Sequence, residues 1–424
     1  MNIIVAFLSQ PAVILGIFAC LGLILQNKKP LDVASGTIKT VVGFLIFNAG
    51  CNLVTANLQN LNTLFIEGFS INGVVAMSEA AVAQAEVNFG TTLSLTFIVG
   101  FVSNLLFARF TRFKNIIFLT SIQYSFAALL TLVCKGAGLS DTVAIIVGGL
   151  VLGFASAFLP ELCQPFMRKM SGSDNVAIGH FSMIGYSLAG YLGKLFSKHE
   201  NETADNLKLP KGLLFFKDLT IGMSVIMLVL FYVSALASGQ EFVSSLSGSV
   251  HWLVWPFIQA LTFTASMNIL LYGVRTFLAE ITASFVAISE KLIPHARPAL
   301  DCPTVFAYAP TAVMLGFMAA YLGGVVAMFI EIAVDSPVVF IPAANVMFFL
   351  GGTAGVFGNS TGGWRGAILG AFVVGILVVT TPLALYPTLN ALGVGTAAFG
   401  AIDYNVTGTL LHYILNGLKS IFGF

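Results

Sequence analysis

Residues 142–160 read TVAIIVGGLVLGFASAFLP, a run without one formal charge. A helix rises 1.5 Å per residue, so about 20 such residues cross the roughly 30 Å of a bilayer's hydrocarbon. Only a helix or a closed barrel satisfies every backbone N–H and C=O inside lipid. The run does not alternate apolar and polar positions as a barrel strand would, so it reads as a membrane-spanning helix. Outward from it, the same property recurs at 1–27, 40–66, 87–108, 115–134, 219–240, 242–274, 302–330, 336–364 and 366–402. The expectation is an all-α integral membrane protein of ten spans, with 405–424 as a candidate eleventh. Several runs exceed one crossing, so re-entrant or interfacial pieces are expected within them. The start lacks a basic n-region and a cleavage site, so 1–25 reads as a retained span.

Composition agrees. The 424 residues include 19 Lys and Arg and 18 Asp and Glu, a charged share of 9%, against about 25% in ordinary globular domains. Apolar types make up 57%, with 38 Phe, and the mean hydropathy is +0.94. So little polar surface cannot cover a soluble core, which excludes a soluble enzyme, a disordered scaffold and a secreted disulfide module. A net charge of +1 argues against a nucleic-acid binder, which needs a basic patch to neutralise phosphates. The five cysteines are odd in number and scattered without a CxxC, and read as small core residues.

The basic residues set the orientation. Lys28 and Lys29, then Arg109, Arg112 and Lys114, then the group from Arg168 to Lys217 follow the first, third and fifth spans. The alternate loops hold Glu67, Glu79, Glu86 and Glu241, with Lys135 the mild exception. The N-terminus is expected outside and the hydrophilic segment 197–218 in the cytoplasm. That segment divides the chain into 1–196, with five spans and a re-entrant segment, and 219–424, with five or six spans. An odd number of spans per half implies an inverted repeat. Faint echoes accompany it, INGVVAMSE (71–79) with PALDCPTVF (298–306) and IGHFSMIGYSLAG (178–190) with FGAIDYNVTGTL (399–410). Residues 274–294 place Phe277, Leu278, Ile281, Phe285, Ile288 and Leu292 on one helical face, which suits either an interfacial helix or the end of a long tilted span.

Ionisable groups at membrane depth are costly and therefore functional candidates. Asp301 stands before Cys302-Pro303 at a proline-broken helix start, either as a cavity carboxylate or as a helix cap. His180 lies in a Gly- and Ser-rich stretch too short and polar for a span. It is either a solute contact able to take a proton near neutral pH or a structural histidine bonded to a carbonyl. Ser78 and Glu79 end the 71–79 break. Thr120, Ser121, Gln123 and Ser125 interrupt an apolar helix, either facing solute or bonding a neighbouring helix. Residues 359–365 (NSTGGWR) form a further break, and Asp403 stands alone between apolar runs. No Walker A, HExxH, Cys/His cluster or Arg-rich voltage sensor is present, so neither cofactor nor metal is expected. Polar, uncharged breaks with one Asp and one His suit a polyhydroxy solute.

Several stretches carry a resemblance: GTIKTVVGFLIFNAG (36–50), AIGHFSMIGYSLAGYLGK (177–194), LKLPKGLLFFKD (207–218), VHWLVWPFIQ (250–259), GVRTFLAEITASFVAISEKLIPHARPALDCPTVFAYAPTAVMLGFM (273–318) and GVFGNSTGGWRGA (355–367). Collinear over nearly the whole chain, they resemble the membrane (EIIC) component of the ascorbate-type bacterial phosphotransferase system. The resemblance implies two inverted repeats with re-entrant and interfacial helices, a core domain that moves against a V-shaped scaffold, and a homodimer in the bacterial inner membrane. It implies import of L-ascorbate or a related sugar or polyol, phosphorylated by phospho-EIIB, itself charged through EIIA. Carried over, the family's Thr-Tyr pair falls on Ser78 and Glu79, and its span-four patch on Ser121 to Ser125. Its His-Gln pair falls on His180 and Phe181, and its pocket Asp on Asp301. His180 and Asp301 are kept, with the expected roles of contacting the solute and assisting phosphoryl transfer. The family's span-four His and Gln and its second Gln are missing, so the full hydrogen-bond set for ascorbate is not reproduced. The reading from residues alone leaves a second class open, an ion-coupled elevator-type secondary transporter using Asp301 and Glu79.

Overall fold

The computed structural model describes residues 11–70, 73–75, 78–207, 219–291, 293–395 and 398–422. Its main helices are α1 (Pro11–Leu25), α2 (Pro30–Gly68), α3 (Ser78–Phe110), α4 (Thr120–Gly136), α5 (Asp141–Ser171), α6 (Met183–Gly193), α7 (Leu219–Ser247), α8 (Trp255–Lys291), α9 (Pro310–Ala333), α10 (Gly352–Thr380) and α11 (Ile402–Phe422). Among the described residues, six helical stretches are long and apolar enough to cross a membrane: Pro30–Gly68, Gln84–Phe110, Asp141–Ser171, Met223–Ser247, Pro310–Ala333 and Ala344–Ala384. The chain is a nearly all-α, multi-pass integral membrane protein.

The charge-free runs that yield shorter helices do so for local reasons. The run 115–134 spends its first residues on a strand, leaving 17 residues to α4. The run 366–402 ends its helix at Thr380 and breaks into short turns at Thr381–Ala384 and Tyr386–Ala391, each with a proline near its start. Residues 1–10, the first part of the expected first span, lie outside the described residues. The helix expected at 274–294 continues its predecessor: α8 runs 37 residues without a break at Val274.

Small residues let the helices touch. Gly375 on α10 lies against the Ala320 carbonyl of α9, and Gly153 on α5 against Ser103 of α3; a Cβ at either position would collide. Close backbone approach of this kind is how helices gain packing in lipid, where the hydrophobic effect supplies nothing between them.

The breaks between helices form short strands. β1 (Val74–Val75) pairs in parallel with β5 (Phe340–Ile341). β2 (Asn115–Ile117) and β3 (Ala177–Ile178) flank β4 (Arg297–Leu300) in a three-stranded parallel sheet of order β2-β4-β3. Non-helical backbone at membrane depth survives only inside protein, and all nine residues of this sheet are buried. The break expected at 359–365 is a kink inside α10, where Gly362 and Gly363 leave helical geometry and Gly363 has φ +60°. The described part of 197–218, as far as Leu207, is docked on that kink: the Trp364 N–H donates to the Glu202 carbonyl at 3.0 Å, and the Ala204 N–H to Asn359 Oδ1 at 2.8 Å.

Candidate functional site: a polar cavity between broken segments

The site is built by the sheet register. Ile178 of β3 stands opposite Leu300 of β4, and the Gly179 N–H extends the ladder by donating to the Leu300 carbonyl at 2.7 Å. Glycine is required at 179, because a Cβ would sit 2.7 Å from the Ala299 carbonyl carbon. His180 follows Gly179 just beyond β3, and Asp301 follows Leu300 at the end of β4. His180 Nδ1 and Asp301 Oδ1 are 2.6 Å apart, and each side chain is 19% exposed. The same Asp301 oxygen accepts the Cys302 N–H at 2.7 Å. Of the two roles open to Asp301, the cavity carboxylate is the one seen: it lines the polar cavity, and the short helix Pro303–Phe306 that follows has no side-chain cap. A neutral imidazole that donates its Nδ1–H across this contact presents Nε2 as an acceptor.

The pair opens into a cavity of about 320 Å³, within the range typical of small-molecule sites, about 300–1,000 Å³. Ser78, Ser121, Ser125, His180 and Asp301 all line it, so the structure brings these five expected residues together. Ser78 Oγ also accepts the Gly400 N–H at 3.2 Å, which ties the start of α3 to the segment before α11. Glu79 follows in α3; its side chain lies outside the described residues.

Two expected residues are placed elsewhere. Gln123 is fully buried, and its Nε2 donates to Ser156 Oγ of α5 at 3.3 Å. Ser121 and Ser125 share one helical face, whereas a residue two positions on lies on the other side. Phe181 is also fully buried, its ring 4.7 Å from Phe126 and 5.3 Å from Tyr404. The chain bends at His180 and Phe181, beyond the end of β3, and the bend turns the Phe181 ring into the core while the histidine stays on the cavity wall.

The cavity has polar walls that sequence reasoning missed. Asn48, Asn52 and Thr55 of α2 line it, as do Asn345 and Tyr404. The first three recur at i, i+4 and i+7, one face of a helix, and that spacing was the available signal. Phe44, Phe47, Phe118 and Phe349 supply apolar wall.

Behind the sheet stands a charged buttress. Arg297, 8% exposed at the start of β4, donates to Glu161 at 2.7 Å and to Asp174 at 3.0 Å. Asn115 Nδ2 donates to Glu161, and Gln164 Nε2 to Asp174. Asp403, fully buried and absent from the cavity wall, accepts the N–H groups of Ser182, Met183 and Ile184.

His180, Asp301 and Cys302 bring possible metal-ligating atoms within 4.8 Å of one another. Their bonds are already made by protons: Asp301 holds His180 and the Cys302 N–H, and Cys302 Sγ lies 3.3 Å from the Tyr186 hydroxyl. A metal would have to break the 2.6 Å pair, and the arrangement suits a hydroxylated ligand better.

Broken apolar helices closing around a polar cavity define a multi-pass membrane permease. The chain belongs to the family described as PTS system sugar-specific permease component (EIIC-GAT), whose model matches residues 6–403. It is also similar to the ascorbate-specific PTS system EIIC component of Mycoplasma pneumoniae, with 26% identity over 443 aligned residues. That match covers 91% of this chain and 66% of the relative, so the chain spans about two thirds of the relative's length.

Proposed function

We propose that this chain imports a polyhydroxy solute, L-ascorbate or a related sugar or polyol, coupled to phosphorylation by phospho-EIIB supplied through EIIA. The observation that carries the reading is the 2.6 Å His180–Asp301 pair opening into a 320 Å³ cavity. Hydroxyl and amide groups around one carboxylate offer the donors and acceptors that sugar hydroxyls need. Asp301 accepts a hydroxyl hydrogen bond and His180 contacts the solute. When the phosphoryl donor reaches the cytoplasmic side, the imidazole Nε2 takes the proton of the attacking hydroxyl. The phosphorylated product is charged and cannot return through an apolar route.

The movement we propose is elevator-like, with a core carrying the broken segments past a scaffold, in a homodimer of two inverted repeats (1–196 and 219–424) joined by a cytoplasmic linker, 197–218. Two things support it. The cavity lies between α2, which packs on α1, α7 and α8, and the broken segments. The segments 178–190 and 399–410, which echo one another in sequence, meet end to end.

The test is uptake by the protein reconstituted in proteoliposomes, offered L-ascorbate and a panel of pentitols and hexitols. Accumulation as the phosphate ester, dependent on EIIB and a phosphoryl donor, is the expected result. Accumulation of unmodified solute driven by a sodium or proton gradient alone would overturn the proposal in favour of the ion-coupled class.

A further inference from the structure

We infer that Asp403 is the positioning residue of the site, holding His180 against Asp301 by capping the broken segment on which His180 sits. The inference rests on the reading of His180 and Asp301 as the solute-binding pair.

Residues 179–181 form a three-residue bridge pinned at both ends. At one end the Gly179 N–H donates to Leu300 on β4. At the other, Asp403 Oδ2 accepts the N–H groups of Ser182 at 2.9 Å and Met183 at 2.7 Å, while Oδ1 accepts that of Ile184 at 2.9 Å. These N–H groups open α6 and have no partner within their own helix, and a carboxylate is the acceptor best matched to a helix N-terminus. The tie is reciprocal, because Ser182 Oγ accepts the N–H of Ile402, the first residue of α11, at 2.9 Å. Two helix starts thus cap each other across the site.

Ser182 adopts φ +130°, a region that residues with a side chain rarely occupy. Such a conformation persists only where the surroundings over-determine it, and the Asp403 and Ile402 bonds do so. Next to Asp403, the Tyr404 hydroxyl donates to the Ile122 carbonyl of α4 at 2.6 Å, and its ring packs on Phe126 and Phe181. One turn of α11 therefore fixes both the His180 bridge and the helix that carries Ser121 and Ser125. No Lys or Arg pairs with Asp403 among the described residues; its only assigned bonds are to the backbone it holds.

The experiment reads His180 directly. In protein labelled with ¹⁵N-histidine, the Nδ1 proton of a short N–H···carboxylate bond gives a far-downfield resonance, assigned by its absence in His180→Gln. Asp403→Asn keeps one acceptor oxygen but sets an NH₂ against N–H donors, and Asp403→Ala keeps none. In the monodisperse folded fraction of each, the resonance is expected to vanish or move upfield, more so in Asp403→Ala. A wild-type resonance in either folded variant overturns the inference and leaves Asp403 a packing residue. If both Asp403 variants fail to fold, Asp403→Glu decides. It keeps the carboxylate but displaces it by one methylene from the N–H groups of Ser182, Met183 and Ile184, so an upfield shift sustains the inference and an unchanged resonance overturns it. Uptake by His180→Gln separates the two failures: normal transport by that variant sinks the solute-binding reading without touching the Asp403 result.

Discussion

His180 and Asp301 are separated by 121 positions in sequence and joined at 2.6 Å through their side chains. The parallel register of β3 on β4 delivers both residues to the same point. Asp301→Asn keeps the shape and removes the charge that fixes the imidazole tautomer. Phosphorylating uptake is expected to fall at least 100-fold, a size set by the ~10²–10⁴ that positioned acid–base groups contribute. The yield of folded protein should stay near wild type. Initial uptake rates in proteoliposomes, normalised to folded protein by size exclusion, check it.

The two faces of α4 should behave differently. Ser121→Ala changes a cavity wall and is expected to raise the KM for the transported solute several-fold with little change in thermal stability. Gln123→Leu removes a buried bond to Ser156 and should shift stability by about 1 kcal/mol or less while KM stays unchanged. Paired KM and melting measurements on the two variants separate the faces; a KM change in Gln123→Leu would contradict the placement.

Arg297→Met tests the buttress. Breaking a buried ion pair usually costs about 3–5 kcal/mol. Asp174 is 53% exposed, so water screens part of the loss and about 2 kcal/mol is expected. Adding Glu161→Gln should recover part of it, because the orphaned carboxylate is then neutral. Thermal unfolding in detergent of the single and double variants is the measurement.

The docked loop should make stability depend on acid. Hydrogen bonds from Arg365 and then His199 hold the Glu202 carboxyl below the usual glutamate range. A carboxyl lowered on folding contributes its stability above the unfolded pKa, about 4.3, and loses it as pH falls through the lower folded value. The melting difference between wild type and Glu202→Gln is therefore expected to be constant from pH 6 to 8 and to shrink below about pH 4. A difference that grows in acid would reverse the sign.

Much of the fold was legible in the sequence because excluding charge from lipid leaves a trace in every span. His180 and Asp301 were legible for the same reason, as ionisable groups at breaks in apolar runs. Gln123 and Phe181 lie off the cavity because helical phase turns Gln123 towards α5 and a bend beyond β3 turns Phe181 into the core, neither of which proximity in sequence reveals. Asn48, Asn52 and Thr55 were missed because uncharged amides in a long apolar helix raise no alarm until their i, i+4, i+7 spacing is examined. The continuity of α8 through Val274 was not legible, since an interfacial helix and the tail of a long span share one amphipathic pattern.

The middle position of β4 has a consequence for biosynthesis. Strands β2 and β3 come from the first half of the chain and bond to β4 rather than to one another. Until Leu300 has left the ribosome, neither strand has the partner it holds in the folded chain. The nascent first half is therefore a half-open clasp, and two separately translated halves would have to meet edge to edge before either could grip a solute.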